Sequence, residues 1–347
     1  MDKKIVLVLI DCPQDLDLLL PVIRRLKSNC IVWVTDHALE RSRRIEHFLN
    51  LEKSKWCIKR RILIKVGVTG SLAPFNSLLT ACESSLRPHR VAYRLTKKFT
   101  QQRKKTWTLQ HGFENVGLSY FDGRFKTKFN SDFIGVWGND FLLDSRMDEA
   151  VRARCVPIGL TKNYDLIPVP DLPDWARNRR VISVFENLHW DRYSQSYKRK
   201  FIHDLKSSAE AFPDYVFILK SHHDERWLAS KQDEVALLPG NIVVADPKKS
   251  QWQLYTAAGL IKISDLVITT PSTVAVDAAL MRKPVSVVGY DLNLDMYDPL
   301  CVLRSLDDWK VFVNCECLTK VASRSAGFSN RWIQKGDAVT KLIARLL

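Results

Sequence analysis

Apolar, β-branched runs and longer amphipathic stretches take turns along the chain. The first half reads as a strand at Ile5–Ile10, a helix at Asp15–Ser28, a strand at Cys30–Thr35, a helix at Leu39–Leu51 and a strand at Arg61–Val66. It continues with a helix at Pro74–Leu86, strands at Thr106–Leu109 and Phe133–Trp137, and a helix at Phe141–Ala153. Strands alternating with helices in this way build a parallel sheet, because each parallel pairing needs a crossover long enough to hold a helix.

Between Ile167 and Asp174, Pro168, Pro170 and Pro173 remove backbone donors and favour an extended connection. The rhythm then restarts. Strands are expected at Arg180–Phe185, Tyr215–Lys220, Asn241–Ala245, Leu266–Thr269 and Val285–Val288, and helices at Ser194–Ala211, Gln251–Ile261 and Ser272–Met281. Asn330–Leu347 spaces Trp332, Ile333, Val339, Leu342, Ile343 and Leu346 as one amphipathic helix, suited to docking on the protein body or on a membrane. The expected fold class is α/β with two Rossmann-like domains: residues 1–165, a linker at 166–178, residues 179–329, then the helix at 330–347.

A chain of 347 residues with 46% hydrophobic content has enough apolar side chains for two cores. Its net charge of +15 draws polyanions, nucleotide phosphates or an anionic membrane surface. Read as scattered along the chain, and with many tryptophans beside apolar runs, that charge argues against a nucleic acid partner. The basic run Arg94–Lys105 reads as a solvated face, with an anionic bilayer or phospholipid-linked acceptor as its functional alternative. Eight cysteines form no Cys-x-x-Cys pair and no close Cys/His grouping, so a reduced protein without a metal is expected. The first apolar run is too short to span a bilayer and no small-residue cleavage site follows it, so it reads as a buried strand.

Four polar clusters follow expected strands, where open parallel sheets bind ligands. Gln110–Asn115 carries His111 and Glu114, either of which suits proton transfer, while a turn-capping His111 is the plainer reading. Glu186–Asp191 surrounds Trp190 with two carboxylates and an imidazole. Asp191 suits attack on a sugar carbon, and helix capping by Asn187 or Asp191 competes with that role. Lys220–Glu225 offers Lys220 and His222 for phosphate, and adjacent His222 and His223 point to opposite sides of an extended chain, which disfavours joint metal ligation. In Thr269–Thr273, Ser272 and Thr273 start a helix that suits phosphate or serves only as its cap, and Asp277 lies one turn on, within reach of a ribose hydroxyl. No P-loop and no strand-linked Gly-x-Gly-x-x-Gly is present.

Taken together, these motifs resemble the bacterial capsule and surface-polysaccharide biosynthesis family that includes the retaining β-Kdo transferases. Asn187, Trp190 and Asp191 match its Asn-x-x-Trp-Asp signature, and His222 and Glu225 match His-Pro-x-Glu with His223 in place of proline. Ser272, Thr273, Asp277, Lys283, Pro284 and Val285 match a third signature, with Asp277 where glutamate is common and Arg282 where glycine is usual. The motifs span residues 105–290.

The resemblance implies a GT-B arrangement, two Rossmann-like domains facing across a cleft, and a nucleotide-sugar donor, CMP-Kdo, with no separate cofactor and no metal. It further implies a retaining transfer through two displacements. Asp191 would be the nucleophile and Glu114 the acid/base. His222, Ser272 and Thr273 would hold the donor phosphate, with Asp277 near the ribose. Lys220 suits the donor's negative groups, and Asn187 belongs to the same donor-side signature. The acceptor would be a glycan or lipid-linked glycan at the inner face of the cytoplasmic membrane. A CDP-glycerol glycerophosphotransferase and a UDP-sugar 2-epimerase are the rival readings on the same scaffold.

Overall fold

The computed structural model describes residues 4–121, 127–172, 174–222, 227–246, 249–316 and 318–347. The chain divides into two compact units, one comprising the residues up to Asn163 together with Trp332–Leu347, the other Tyr164–Arg331.

The first unit is built on strands β1 (Val6–Ile10), β2 (Cys30–Thr35), β3 (Trp56–Lys59), β4 (Ser77–Thr80), β5 (Lys105–Leu109), β6 (Phe133–Val136) and β7 (Cys155–Pro157). All are parallel, in the order β3-β2-β1-β4-β5-β6-β7. Its helices are α1 (Asp15–Leu26), α2 (Asp36–Arg41), α3 (Arg44–Leu51), α4 (Arg61–Val66), α5 (Arg90–Gln101) and α6 (Glu149–Arg152). Every residue of β1 is buried, as a central strand covered on both faces requires. Val6, Val8 and Ile10 pack with Leu16, Leu19 and Ile23 of α1, while Leu7 and Leu9 pack with Leu95 and Phe99 of α5 on the other face.

The second unit repeats the plan with β8 (Val181–Glu186), β9 (Val216–Ser221), β10 (Ile242–Val244), β11 (Leu266–Thr269), β12 (Val285–Val288) and β13 (Cys301–Leu303). These too are parallel, ordered β10-β9-β8-β11-β12-β13. Helices α7 (Gln195–Ala211), α8 (Gln232–Ala236), α9 (Ala257–Ile263), α10 (Val274–Leu280), α11 (Leu306–Val313) and α12 (Leu318–Trp332) accompany them. The last helix, α13 (Ala338–Leu346), sets Leu342 and Leu346 into the core of the first unit beside α1. The expected α/β class with two Rossmann-like domains is the observed fold.

Several expected elements are corrected. Arg61–Val66 is a helix, and the strand beside β2 is Trp56–Lys59. Gly67, at φ 92°, ends that helix in the left-handed region while its amide and that of Val68 bond back to Ile64 and Leu63. Pro74–Leu86 holds the buried strand β4, since a short, wholly buried apolar run carries no period that separates strand from helix. In Phe141–Ala153 only Glu149–Arg152 is α-helical, because Asp144 and Asp148 accept the amides two residues ahead and compete with the helix. In Gln251–Ile261 a 3₁₀ turn precedes α9, which Thr256 caps by accepting the Gly259 amide. The single helix expected over Asn330–Leu347 is broken before Asp337, which caps α13. The expected elements include no β7, β13, α5, α8 or α11, and little of α12.

Candidate functional site

In the second sheet the chain order reverses between β8 and β11, and loops leaving the carboxyl ends of such a pair open a crevice for ligands. Asn187, directly after β8, ties the two strand ends together. Its amide nitrogen donates to the Pro271 carbonyl at 3.0 Å, its Oδ1 accepts from the Tyr193 hydroxyl at 2.7 Å and from the Thr270 hydroxyl, and its backbone N–H donates to Thr270 Oγ1. Asn187 thereby shapes the loop after β8 from within, its side-chain groups spent on protein partners.

Beyond Asn187 the chain turns, with Leu188 sunk in the core and Trp190 and Asp191 exposed. Glu186 points the other way. It is buried, accepts the Leu228 and Leu188 amides, and burial raises its carboxyl above the usual range. Of the two carboxylates in this cluster, Glu186 is thus part of the framework and Asp191 faces solvent.

His222 follows β9, and its backbone N–H donates to the Glu186 carbonyl. Its ring lies 4.7 Å from that of His189, inclined by 32°, so two imidazoles from separate clusters become neighbours. Lys220 directs its ammonium to the Tyr255 carbonyl at 3.2 Å. His223, Asp224 and Glu225 lie outside the described residues.

After β11, Ser272 Oγ accepts the Val274 amide at 3.2 Å and shares a hydrogen bond with Thr269 Oγ1 at 3.0 Å. Thr273 stands at the helix start, half-buried like Ser272. Asp277 is buried and accepts the phenol of Tyr164 at 2.8 Å. The structure therefore gathers Asn187, His189, His222, Ser272 and Thr273 at the ends of β8, β9 and β11, and turns Asp277 towards Tyr164. His189, Thr270, Tyr193 and Tyr164 escaped the sequence reading as partners; the Thr270–Asn187 and Tyr164–Asp277 contacts join segments 83 and 113 residues apart in the chain.

The first unit holds two further groupings. Gln110 anchors the segment after β5 by accepting the Trp137 amide and donating to the Gly112 carbonyl. His111, fixed through its N–H to Asn115 Oδ1, lies edge-on to His89 at 4.8 Å, and His89 Nδ1 is 2.7 Å from Ser84 Oγ. Burial pushes His111 down to about 4; burial, helped by the charges of His111 and Arg61, pushes His89 down to about 3. Both are uncharged near neutrality, and the same burial makes them weak bases. Glu114 is half-buried on the same loop.

The second grouping sits where β1 and β4 part. Arg61 Nε and Nη2 grip Asp11 Oδ1 and Oδ2 at 2.9 and 3.1 Å, with Thr35 Oγ1 donating to the same carboxylate. Beside it Cys12, Asp15 and Cys82 converge, their ligand-type atoms within 4.8 Å of one another. The Asp15 carboxylate accepts the Asp11 and Cys12 amides, and burial raises it to about 7. Spacing in the sequence gave no sign of this cluster, although Asp11 and Cys12 obey the same strand-end rule.

These groups set opposite pH slopes. The lowered imidazoles bind protons first in the unfolded chain, so their contribution to stability is lost as pH falls from about 6.5 towards 4. Asp15 holds its proton better when folded, so its contribution is present below about 4 and lost as pH rises towards about 7. Asp15→Asn, which mimics the protonated carboxyl, should therefore gain on the wild type by on the order of a few kcal/mol between pH 5 and pH 8 in chemical unfolding. An unchanged difference would place the Asp15 carboxyl near its ordinary value.

No family model and no curated protein matches the sequence. Solved structures do match over nearly the whole chain. S. aureus MnaA in complex with UDP aligns with a TM-score of 0.70 at 12% identity, covering 99% of this chain and 98% of its own. UDP-GlcNAc 2-epimerase from Neisseria meningitidis bound to UDP-GlcNAc gives 0.62 at 13%, covering 98% of each chain. The wall teichoic acid polymerase TagF soaked with CDPG gives 0.63 at 15%, covering 98% of this chain and 87% of its own. The likeness is one of fold, the GT-B-type pair of parallel sheets.

Proposed function

We propose that the chain is a carbohydrate-active enzyme working on a nucleotide-activated substrate, and more narrowly a retaining transferase that moves Kdo from CMP-Kdo to a surface-polysaccharide or lipid-linked glycan. The observation that carries the reading is the strand-end assembly of the second unit. There Asn187 joins β8 to β11 and leaves Asp191 exposed on the turn beyond it, with His222, Ser272 and Thr273 on the neighbouring strand ends.

In this reading His222, Ser272 and Thr273 serve the donor phosphate. The Asp191 carboxylate bonds to the anomeric carbon as the bond from that carbon to the phosphate oxygen breaks, and CMP leaves with the electron pair. An acceptor hydroxyl then displaces Asp191 from the same carbon and gives up its proton, so two inversions retain the configuration. By sequence and resemblance alone, His111 and Glu114 are the candidates for taking that proton. The Tyr164 hydrogen bond turns Asp277 into a positioning group for α10 and weakens the case for its touching a ribose.

The structural neighbours favour a second reading, in which the substrate is a UDP-sugar or a CDP-linked glycerol, since they carry UDP, UDP-GlcNAc and CDPG. Intact-protein mass spectrometry with CMP-Kdo generated in situ, without acceptor, followed by peptide mapping, separates the two. A mass gain of one Kdo on the peptide containing Asp191 is the expected result. Absence of an adduct, together with turnover of UDP-GlcNAc or CDP-glycerol, would hand the assignment to the second reading.

A further inference from the structure

The positive charge is concentrated rather than scattered. Residues 53–105 hold fourteen Lys and Arg against one acidic residue, the buried Glu83, a net +13 of the chain's +15. This stretch contains β3, α4 and α5 of the first unit, and α4 packs on α5. Arg94 and Lys98 of α5 donate to the carbonyls of Lys65 and Gly67 at the end of α4. Those bonds lock the helices together without neutralising either charge, and among the described residues Arg61 is matched by a carboxylate, that of Asp11.

The same surface exposes aliphatic side chains. Ile58 on the edge strand, Ile62, Leu63 and Val66 on α4, and Val68 just beyond are between 41% and 62% exposed, with Leu51 nearby at 64%. A helix normally hides its apolar side, yet on α4 only Ile64 is buried. Exposed Lys53, Lys55, Arg60, Lys65, Arg90 and Lys97 accompany this aliphatic cluster.

From these features we infer that the β3–α4–α5 face of the first unit is a peripheral docking surface for an anionic lipid bilayer. Aliphatic side chains enter the boundary between headgroups and acyl chains, and flanking Lys and Arg gain from the negative surface potential. A nucleic acid shares the charge preference but stacks its bases on aromatic rings, and every exposed large apolar residue of this face is aliphatic. No helix among the described residues is long and apolar enough to cross a membrane. The inference does not depend on which activated substrate the second unit takes.

The test is flotation of the full chain with vesicles of phosphatidylcholine alone and of phosphatidylcholine mixed with phosphatidylglycerol, at low and high salt. Association with the anionic vesicles only is expected. The partition coefficient should fall about tenfold or more in Ile62→Ser/Leu63→Ser/Val66→Ser, and by a similar factor in Lys53→Glu/Arg60→Glu/Lys97→Glu. All six side chains are exposed, so thermal unfolding should stay unchanged. Should the triple aliphatic variant unfold, Ile62→Asp alone carries the same expectation. Failure to float with anionic vesicles overturns the inference. So does floating that the aliphatic variants leave intact, which would mean that the aliphatic side chains of this face do not enter the bilayer.

Discussion

Asp191→Asn is expected to lower sugar transfer at least about a thousandfold, because an amide cannot form the bond to the anomeric carbon that the first displacement requires. Asp191 lies exposed on the turn between Trp190 and helix α7. The variant should therefore unfold at the wild-type temperature and bind the nucleotide donor within about threefold of wild type, so that the loss appears in kcat. The mass adduct on the Asp191 peptide should vanish with it. Near-normal transfer by Asp191→Asn would remove this residue as nucleophile, and with it the double displacement drawn from the Asn-x-x-Trp-Asp match.

The second large effect concerns stability of the first unit. Arg61→Met leaves the Asp11 carboxylate, whose side chain is 1% exposed, with Thr35 as its remaining side-chain hydrogen-bond donor. Breaking one side of a buried ion pair costs about 3–5 kcal/mol, and the partial exposure of Arg61 brings the expectation to about 3 kcal/mol. Thermal unfolding should then shift down by roughly 10 °C. Arg61→Lys should recover little, since an ammonium cannot make the two parallel bonds that Arg61 directs to Asp11. Adding Asp11→Leu to Arg61→Met should return most of the loss, because the penalty lies in the stranded charge. A shift of under about 2 °C in the single variant would mean that water reaches Asp11.

The strand-end rule makes much of the candidate site legible in the sequence. Asn187, His222 and Ser272 each follow a β-branched apolar run, and a buried run announces itself by composition alone. The same argument applied to Ile5–Ile10 would have drawn attention to Asp11 and Cys12. It failed at Arg61–Val66, where β-branched residues suggested a strand and the stop signal, Gly67, was passed over; that error also hid Arg61 as the partner of Asp11.

The sequence by itself determined the α/β class, the restart of the rhythm near residue 180 and the polar residues that strand ends present, because these depend on periodicity and composition within short windows. Only the tertiary structure decided which of those residues meet. Parallel strands pair through crossovers, so β8 lies beside β11 and β1 beside β4, and partners such as Asn187 with Thr270, or Cys12 with Cys82, come from distant segments. Burial, too, is set by that packing: it makes Glu186 framework and leaves Asp191 in solvent, and it exposes the aliphatic side chains of α4 that a local pattern assigns to a strand.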